Sequence, residues 1–212
     1  MTRYDVSSDT AAGVDAAVRA LQAGELAVLP TDTVYGIAAD AFSPSAVARL
    51  LAAKGRGRDM PVPVLVGSWR TLDGLVDELG PLGRTLVETF WPGALTIVVR
   101  AARSLAWDLG ETRGTVAVRM PLQPVALDVL GQTGPLAVSS ANRSGLPPAI
   151  DAADAERQLG EAVEVYLDAG QLAAAVPSTI LDLTGDRARV LREGALSIAA
   201  LRDVVPDLEA PA

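Results

Sequence analysis

Apolar and polar positions along the chain follow two alternating patterns, one with the period of a helix and one typical of short buried strands. Between residues 9 and 24, Val14, Val18 and Leu21 fall on one stripe of a helix that begins at an Asp and stops at a Gly. The apolar run at 26–30 then predicts a strand. The chain therefore opens with a helix and a strand of ordinary length.

The same two patterns continue to the end of the chain. They predict further helices at 43–55, 81–90, 124–130, 151–159 and 197–205, and further strands at 62–66, 94–100, 115–120, 136–139, 163–167, 179–183 and 189–191. Pro63 has no N–H for a strand ladder, so we expect the strand at 62–66 to lie at an edge of its sheet. Alternating helices and strands favour one α/β domain with a large twisted mixed sheet flanked by helices.

The length of 212 residues fits one domain of this class. We expect that domain to cover residues 1–205, and we expect the acidic, proline-containing segment 206–212 to be frayed. Half of the residues are hydrophobic but only 4% are aromatic. The core must therefore be built from Ala, Val, Leu and Ile.

Two missing residue types limit the chemistry. The chain has no cysteine, which excludes disulfides, thiol nucleophiles and Cys-based metal sites. It has no histidine, which excludes a Ser-His-Asp triad, an HExxH zinc site and imidazole acid–base steps. Catalysis must then rest on carboxylates, hydroxyls, Lys and Arg charge, backbone dipoles or a magnesium ion that arrives with the substrate.

The charge balance and the apolar runs bear on partners and location. A net charge of −8 argues against a dedicated nucleic-acid binder, because an acidic surface repels a phosphate backbone. The residues after the N-terminus contain no apolar run that indicates a signal peptide, and no apolar run in the sequence is long enough to span a membrane. We therefore expect a cytoplasmic protein with no membrane contact and weak or no direct nucleic-acid binding.

Most Lys and Arg residues are scattered along the chain, but the segment 54–58 contains three of them. Lys54, Arg56 and Arg58 are separated by two glycines, so a flexible loop could bring all three cations to one polyanion. A solvated helix end whose cations complement the helix dipole is the alternative, and for Lys54 alone it is the better one. The segment is not a P-loop, since no Gly-x-x-x-x-Gly-Lys-Ser/Thr sequence occurs at a strand–helix junction.

Polar segments follow two of the predicted strands directly. They are Thr31-Asp32-Thr33 after the strand at 26–30 and Ser139-Ser140-Ala141-Asn142 after the strand that begins at 136. Ligands of open α/β sheets bind beyond strand ends, so both segments suit a site. A polar turn explains each equally well, with Asp32 capping local amides in the first.

Two weaker candidates lie later in the chain. Thr115 and Arg119 are four apart on a strand and so point to the same face. Arg119 is costly to bury without an anionic partner, which could be an internal carboxylate or a ligand. Ser178 and Arg192, each taken alone, indicate a turn and a surface charge.

Taken in order, these segments resemble the YrdC/Sua5 family of threonylcarbamoyl-AMP synthases. The matching runs are Pro30-Thr31-Asp32-Thr33-Val34-Tyr35-Gly36, Lys54-Gly55-Arg56, Trp91-Pro92-Gly93-Ala94-Leu95-Thr96, Val116-Ala117-Val118-Arg119-Met120-Pro121, Ser139-Ser140-Ala141-Asn142-Arg143-Ser144-Gly145, Pro177-Ser178-Thr179-Ile180-Leu181-Asp182 and Leu191-Arg192-Glu193-Gly194. Seven runs in register over about residues 24–194 are highly specific. Arg58 lies outside them and is expected to be a solvated charge.

The resemblance implies a fold, a reaction and partners. The fold is a twisted sheet around a deep concave pocket, in the short form with a single domain. The reaction converts ATP, L-threonine and bicarbonate to threonylcarbamoyl-AMP and pyrophosphate, for the N6-threonylcarbamoyl modification of adenosine 37 of tRNA. Proteins that transfer the threonylcarbamoyl group to tRNA are expected downstream. Mg²⁺ is expected to enter with ATP, without a dedicated protein metal site.

The resemblance also implies roles for the matched residues. For threonine these are Thr33, Arg119, Ser140 and Ser178; for the nucleotide they are Lys54, Arg56, Thr115, Asn142 and Arg192. Lys54 and Arg56 are the expected catalytic pair, because transfer to the α-phosphorus needs alignment and charge neutralisation more than a strong base.

Some positions depart from the family pattern, and other functions stay open. Gly57, Met60, Leu65 and Gln123 stand where the family commonly has other residues, with Leu65 and Gln123 in place of a histidine. One alternative is an enzyme of the same fold with another carbamoyl or acyl donor. A second is a double-stranded RNA- or tRNA-binding module of the same fold without adenylate synthesis, and a third is a purely structural subunit.

Overall fold

The computed structural model describes residues 1–173 and 175–210. Its strands are β1 (Thr2–Asp5), β2 (Ala27–Leu29), β3 (Gly36–Asp40), β4 (Val64–Leu65), β5 (Leu95–Arg100), β6 (Thr115–Arg119), β7 (Leu136–Ser140), β8 (Val165–Asp168), β9 (Thr179–Asp182) and β10 (Arg189–Arg192). Its α-helices are α1 (Thr10–Gln22), α2 (Pro44–Lys54), α3 (Leu72–Leu75), α4 (Gly80–Phe90), α5 (Pro124–Thr133), α6 (Ala152–Leu159) and α7 (Ile198–Arg202). The prediction of a mixed α/β fold is confirmed.

Local sequence explains why the helices begin and end where they do. The side chain of Asp9 accepts a hydrogen bond from the Ala12 amide at the start of α1. At α2, Ser43 caps the N-terminus and Pro44 occupies the first turn. Gly55 ends α2 in the left-handed region at φ 61°, where a side chain would be strained. The predicted helix at 43–55 is confirmed, including both of its caps.

The strands form one mixed sheet in the order β1-β8-β2-β3-β7-β4-β6-β5-β9-β10. β4 runs parallel to β6 and antiparallel to β7, so Leu65 is paired with Arg119 on one side and Leu136 on the other. The prediction that this strand lies at an edge is wrong. Pro63 precedes the paired residues, and its carbonyl accepts a hydrogen bond from the Val138 amide at 2.8 Å, so its missing N–H costs no ladder bond.

One face of the sheet is buried along its length by the larger of two cores. Val28, Ile37, Val64, Val118 and Ile97 lie on this face and pack against α2, α3, α4, α6 and α7. Tyr35, Tyr166 and Trp91 also lie in this core, although the composition predicts one built from aliphatic residues. Branched aliphatic side chains from neighbouring strands fill it.

The other face is covered only in part. α1 and α5 pack over Leu29, Ala38 and Val138 and close the smaller core there. On the same face of β6, beyond these helices, Thr115 and Ala117 are partly exposed. By strand alternation, both residues point to this second face, and their partial exposure shows that it is not fully covered there.

Two strands and part of the C-terminal segment differ from the predictions. β1 is an exposed polar strand and β3 is rich in Gly and Ala, so neither has the pattern that predicts a strand. Leu208 is buried, and Glu209 exchanges main-chain hydrogen bonds with Ala188 and Val190. The predicted fraying of 206–212 is therefore wrong for Leu208 and Glu209, while residues 211 and 212 lie outside the described residues.

Candidate functional site

A buried ion pair joins the loop after β2 to the end of β6. Nη2 of Arg119 donates to Oδ1 of Asp32 at 2.6 Å, with the two side chains only 6% and 16% exposed. Nη1 of Arg119 donates to the hydroxyl of Thr33 at 2.7 Å, and Nε donates to the Gly93 carbonyl at 2.8 Å. The anionic partner that Arg119 requires is therefore an internal carboxylate, one of the two alternatives that the sequence left open.

The alternative in which Asp32 caps the amides of its own turn is wrong. Oδ1 of Asp32 accepts from the Leu122 amide at 2.9 Å as well as from Arg119. The turn is instead held by Thr31, whose hydroxyl accepts from the amides of Thr33 and Val34 and donates to the Val34 carbonyl at 2.6 Å. Thr33 is thereby presented to Arg119 from a fixed backbone.

Lys54 is buried at the end of α2 and is the single lysine of the chain. Its Nζ donates to the Ser140 carbonyl, to the Asn142 carbonyl at 2.7 Å and to Oδ1 of Asn142 at 3.3 Å. Three acceptors match the three protons of an ammonium group. Burial, and secondly the charge of Arg56, lower the pKa of Lys54 from 10.5 to about 8.

Arg56 lies beside Lys54 and is less completely bonded. Its Nη1 donates to the hydroxyl of Ser139 at 3.1 Å and its Nη2 to the Pro61 carbonyl at 3.4 Å, while its buried Nε has no hydrogen-bond partner. Among the described residues, neither Lys54 nor Arg56 has a carboxylate within ion-pair distance. The two cations therefore lie side by side, and the nearest negative charge that acts on Arg56, that of Asp59, is beyond ion-pair distance.

A third polar group lies where β9 begins. The hydroxyls of Thr96 and Ser178 are 2.8 Å apart and both buried. The exposed Arg192 folds back on them, with Nε and Nη2 donating to the Ser178 carbonyl at 3.1 and 2.7 Å. Gly194 is required nearby, since a Cβ there would lie 2.1 Å from the Pro177 carbonyl oxygen. Ser178 and Arg192 therefore belong to one cluster.

The remaining predicted residues lie near these groups to different degrees. Asn142 is buried and its Nδ2 donates to the Leu146 carbonyl at 2.6 Å, so its amide is fixed by the loop after β7. Thr115 donates to the Thr112 carbonyl at 2.8 Å and contacts none of the other predicted residues by a hydrogen bond. By the registers of β4, Thr115 lies at the end of the sheet where β7 reaches Ser140, while Arg119 lies at the other end of β6.

Two cavities among the described residues lie away from these groups. One of about 500 Å³ lies between α1 and α5 and is lined by residues such as Val14 and Leu127. Another of about 490 Å³ lies around Asp182 and Arg189. The deep concave pocket therefore stays an expectation, based on the open part of the sheet face.

Comparison with known proteins assigns the family. The Sua5/YciO/YrdC family model, described as "Telomere recombination", matches residues 19–194. The chain belongs to the Sua5/YciO/YrdC family. This confirms the resemblance that the seven sequence runs indicate.

Two relatives in this family carry the same activity name. A Mycobacterium tuberculosis protein is 58% identical over 193 residues, which cover 91% of this chain and 89% of that protein, and it is named provisionally as a threonylcarbamoyl-AMP synthase. The threonylcarbamoyl-AMP synthase of Pyrococcus abyssi is 33% identical over 189 residues, covering 89% of this chain but 56% of that protein. This chain thus spans most of the first Sua5/YciO/YrdC relative and about half of the second.

A solved structure of the family gives the same fold. P. abyssi Sua5 in complex with L-threonine matches with a TM-score of 0.89 and 32% identity, covering 93% of this chain and 58% of that chain. The Sua5/YciO/YrdC sheet and its flanking helices are therefore shared between the two proteins.

Some parts of the site were not predicted from the sequence. Thr96 and Asp32 lie within runs that resemble the family, but neither is among the residues to which a substrate role is assigned; both prove to be direct partners of predicted site residues. Of the departures from the family pattern, Gln123 caps α5 by accepting from the Ala126 amide at 3.3 Å, Leu65 is buried in the smaller core and Met60 is exposed.

Residues 1–173 and 175–210 contain no group of three or more acidic, His or Cys side chains able to hold a metal ion. Over the same residues, no helix has both the length and the apolarity that a membrane crossing requires.

Proposed function

We propose that this chain is a threonylcarbamoyl-AMP synthase, which forms threonylcarbamoyl-AMP and pyrophosphate from L-threonine, bicarbonate and ATP. The observation that carries the proposal is the pair of half-buried and buried cations, Arg56 and Lys54, without a carboxylate partner, in a chain whose relatives bear that activity name. A buried positive charge is stabilised by an anionic ligand, and a triphosphate supplies one.

The threonine site in this proposal consists of Thr33, Arg119, Ser140 and Ser178. Arg119 is held at three of its nitrogen atoms by fixed partners, so its remaining N–H groups point in set directions. A guanidinium of this kind binds the carboxylate of an amino acid. The P. abyssi Sua5 structure in complex with L-threonine supports this choice of amino acid.

The nucleotide site in this proposal consists of Lys54, Arg56, Thr115, Asn142 and Arg192. Arg56 is less completely bonded than Lys54, and its guanidinium has no carboxylate within ion-pair distance, which leaves its charge available to a phosphate. Lys54, which is buried beside Arg56, adds positive charge. Mg²⁺ enters bound to the phosphate oxygens of ATP, and we assign it no ligand from the chain.

The reaction then needs few protein groups. The neutral amine of threonine adds to CO2, and the proton it loses combines with the hydroxide that bicarbonate leaves, so the carbamate and water form. A carbamate oxygen then attacks the α-phosphorus, and the bond between the α-phosphorus and the oxygen that bridges to the β-phosphorus breaks to release pyrophosphate. Lys54 and Arg56 neutralise the phosphates, and the fixed hydroxyl and guanidinium groups align threonine. The product would serve N6-threonylcarbamoyl modification of tRNA, through separate transfer proteins, in the cytoplasm.

Substrate omission tests the proposal. Pyrophosphate release by the purified chain should require ATP, threonine and bicarbonate together, and mass spectrometry should detect threonylcarbamoyl-AMP. Arg56→Met should lower the release at least about tenfold, whereas Arg49→Met, on the exposed face of α2, should leave it unchanged. Release that proceeds without threonine would point to another acyl or carbamoyl acceptor and refute the proposal.

The RNA-binding alternative is not favoured. It would require tight binding to double-stranded RNA or tRNA with a steep salt dependence and no adenylate product. The net charge of −8 and the relatives' names both support the enzyme instead.

A further inference from the structure

Arg58 lies outside the runs shared with the family, yet it makes a two-pronged ion pair. Nη1 donates to Oδ2 of Asp108 at 3.0 Å and Nη2 donates to Oδ1 of Asp108 at 2.7 Å. The two residues are 50 positions apart in the chain. The pair therefore joins the α2–β4 loop (residues 55–63) to the β5–β6 loop (residues 101–114).

Main-chain contacts extend this junction on both sides. The Glu111 amide donates to the Arg58 carbonyl at 2.8 Å, and the Val62 amide donates to the Leu109 carbonyl at 2.9 Å. Gly110 has a φ of 104°, and a Cβ there would lie 2.8 Å from the Arg58 carbonyl oxygen. Glycine is thus required where the two loops approach each other. The ion pair is part of a continuous contact between the loops.

The two loops lead into the adjacent parallel strands β4 and β6, and each contains or directly precedes one residue of the proposed nucleotide site. Arg56 lies in the α2–β4 loop, and its Nη2 donates to the carbonyl of Pro61 in the same loop. Thr115 follows the β5–β6 loop directly, and both its amide and its hydroxyl donate to the Thr112 carbonyl. The spacing between Arg56 and Thr115 therefore depends on how the two loops are held together.

We propose that the Arg58–Asp108 pair is a positioning device that sets Arg56 and Thr115 at the separation a nucleoside triphosphate requires. This inference rests on the proposed function. Arg58 and Asp108 are both substantially exposed, and each is bonded to the other rather than assigned to a substrate group. Their loss should weaken ATP binding without slowing the chemical step, because the groups that neutralise charge remain.

The test measures pyrophosphate release with ATP varied and threonine and bicarbonate saturating. Arg58→Ala and Asp108→Ala should each raise the KM for ATP about fivefold, the upper range for an exposed pair. kcat and the KM for threonine should stay at wild-type values. The exchanged pair, Arg58→Asp with Asp108→Arg, should restore most of the loss, and Arg58→Lys should restore less because an ammonium lacks the planar fork.

A matched control is the exposed pair Arg49–Glu25, which has a similar distance of 2.7 Å and lies away from both loops. Arg49→Ala and Glu25→Ala should leave the KM for ATP unchanged. The difference between wild type and Arg58→Ala should also shrink as ionic strength rises, since exposed charges are screened. A purely steric contact would not respond to salt.

Hydrogen exchange of the ligand-free protein separates this inference from the proposed function. Amides of the β5–β6 loop should exchange faster in Arg58→Ala than in wild type, whether or not the chain is active. If wild type releases no pyrophosphate, the proposed function fails, and calorimetric binding of ATP itself then replaces KM. An unchanged ATP affinity in both Ala variants, or an equal loss in the control pair, overturns the inference.

Discussion

The ammonium group of Lys54 donates to both oxygens of Asn142, the carbonyl at 2.7 Å and Oδ1 at 3.3 Å. In return, the Lys54 carbonyl accepts from the Ser144 amide at 2.8 Å. The end of α2 and the loop after β7 are therefore tied in both directions. The two sequence motifs that lie 88 residues apart form one structural unit in which a buried charge is balanced by carbonyl dipoles.

The ammonium group of Lys54 should lose its proton near pH 8. Its pKa is lowered to about 8 by burial and by Arg56. Because the chain has one lysine, protein labelled with ¹³C-lysine gives one Nζ-adjacent carbon signal, whose shift against pH reports this pKa directly. Asn142→Asp should raise the midpoint, since it replaces an amide oxygen with a carboxylate. A wild-type midpoint at 10.5 would contradict the buried, dipole-bonded position.

The same pKa makes stability depend on pH. Between about pH 8 and 10.5 the unfolded chain retains the Lys54 proton that the folded chain has lost. The Lys54 contribution to the free energy of unfolding should therefore rise with pH across this window and be flat below it. Urea unfolding of wild type and Lys54→Met isolates the effect, because the other groups titrate alike in both. A parallel pH dependence of the two proteins would exclude it.

The Asp32–Arg119 pair should be costly to break from one side. Asp32→Leu leaves a guanidinium with 6% exposure unpaired and should lower the free energy of unfolding by about 3–5 kcal/mol. Asp32→Leu combined with Arg119→Met should lose less than Asp32→Leu alone, since no charge stays buried. Urea unfolding of wild type, Asp32→Leu, Arg119→Met and the double variant measures these losses. Additive losses would show that the pair does not act as a unit.

How much of the fold the sequence predicts depends on whether local chemistry decides it. The limits of α2 follow from Ser43, Pro44 and Gly55, which act through their own backbone, and they were predicted. β3 contains Gly36 and several alanines and was missed, because it is a strand only through its pairing with β2 and β7. The interior position of β4 is likewise a property of its neighbours.

The same distinction holds for the site. Burial of Arg119 on an apolar strand predicts that it needs an anionic partner, but nothing local says which one. That partner, Asp32, is 87 residues away. Thr96 sits in an ordinary strand sequence, and only the fold brings it to Ser178, 82 residues away. Residue types were predictable where a motif carried them, and contacts between distant segments were not.

Thr96 should matter for threonine binding although it lies outside the predicted site. Thr96→Val keeps the shape of the side chain but removes the hydroxyl partner of Ser178, whose group is buried. The Ser178 hydroxyl would then keep only the long hydrogen bond from Nη2 of Arg192 at 3.4 Å, which should weaken threonine binding about tenfold, while the KM for ATP changes little. Steady-state pyrophosphate release with threonine varied measures this. Thr89→Val, at an exposed position on α4, is the control for the same substitution. An equal effect of Thr89→Val on threonine binding would contradict the role of the Thr96 hydroxyl.

Gly194 should be the least tolerant of the glycines near the site. A Cβ at this position would lie 2.1 Å from the Pro177 carbonyl oxygen and 2.7 Å from the Ser178 carbonyl, so Gly194→Ala must push the chain away from β9. The Gly194 amide also donates to the Thr179 hydroxyl at 2.8 Å, and that bond would be lost. We expect a loss of stability of about 2–3 kcal/mol and a higher KM for threonine, because Ser178 moves with the strand.

Gly131 provides the matched control for that substitution. It lies inside α5, and a Cβ there meets nothing within 4 Å. Gly131→Ala should therefore stabilise the protein by about 0.5–1 kcal/mol, since alanine is the better helix former. Thermal and urea unfolding of the two variants should shift in opposite directions. If Gly194→Ala were as stable as wild type, the close approach of residues 177–178 to residue 194 would not hold in solution, and the cluster of Ser178 with Arg192 would lose its support.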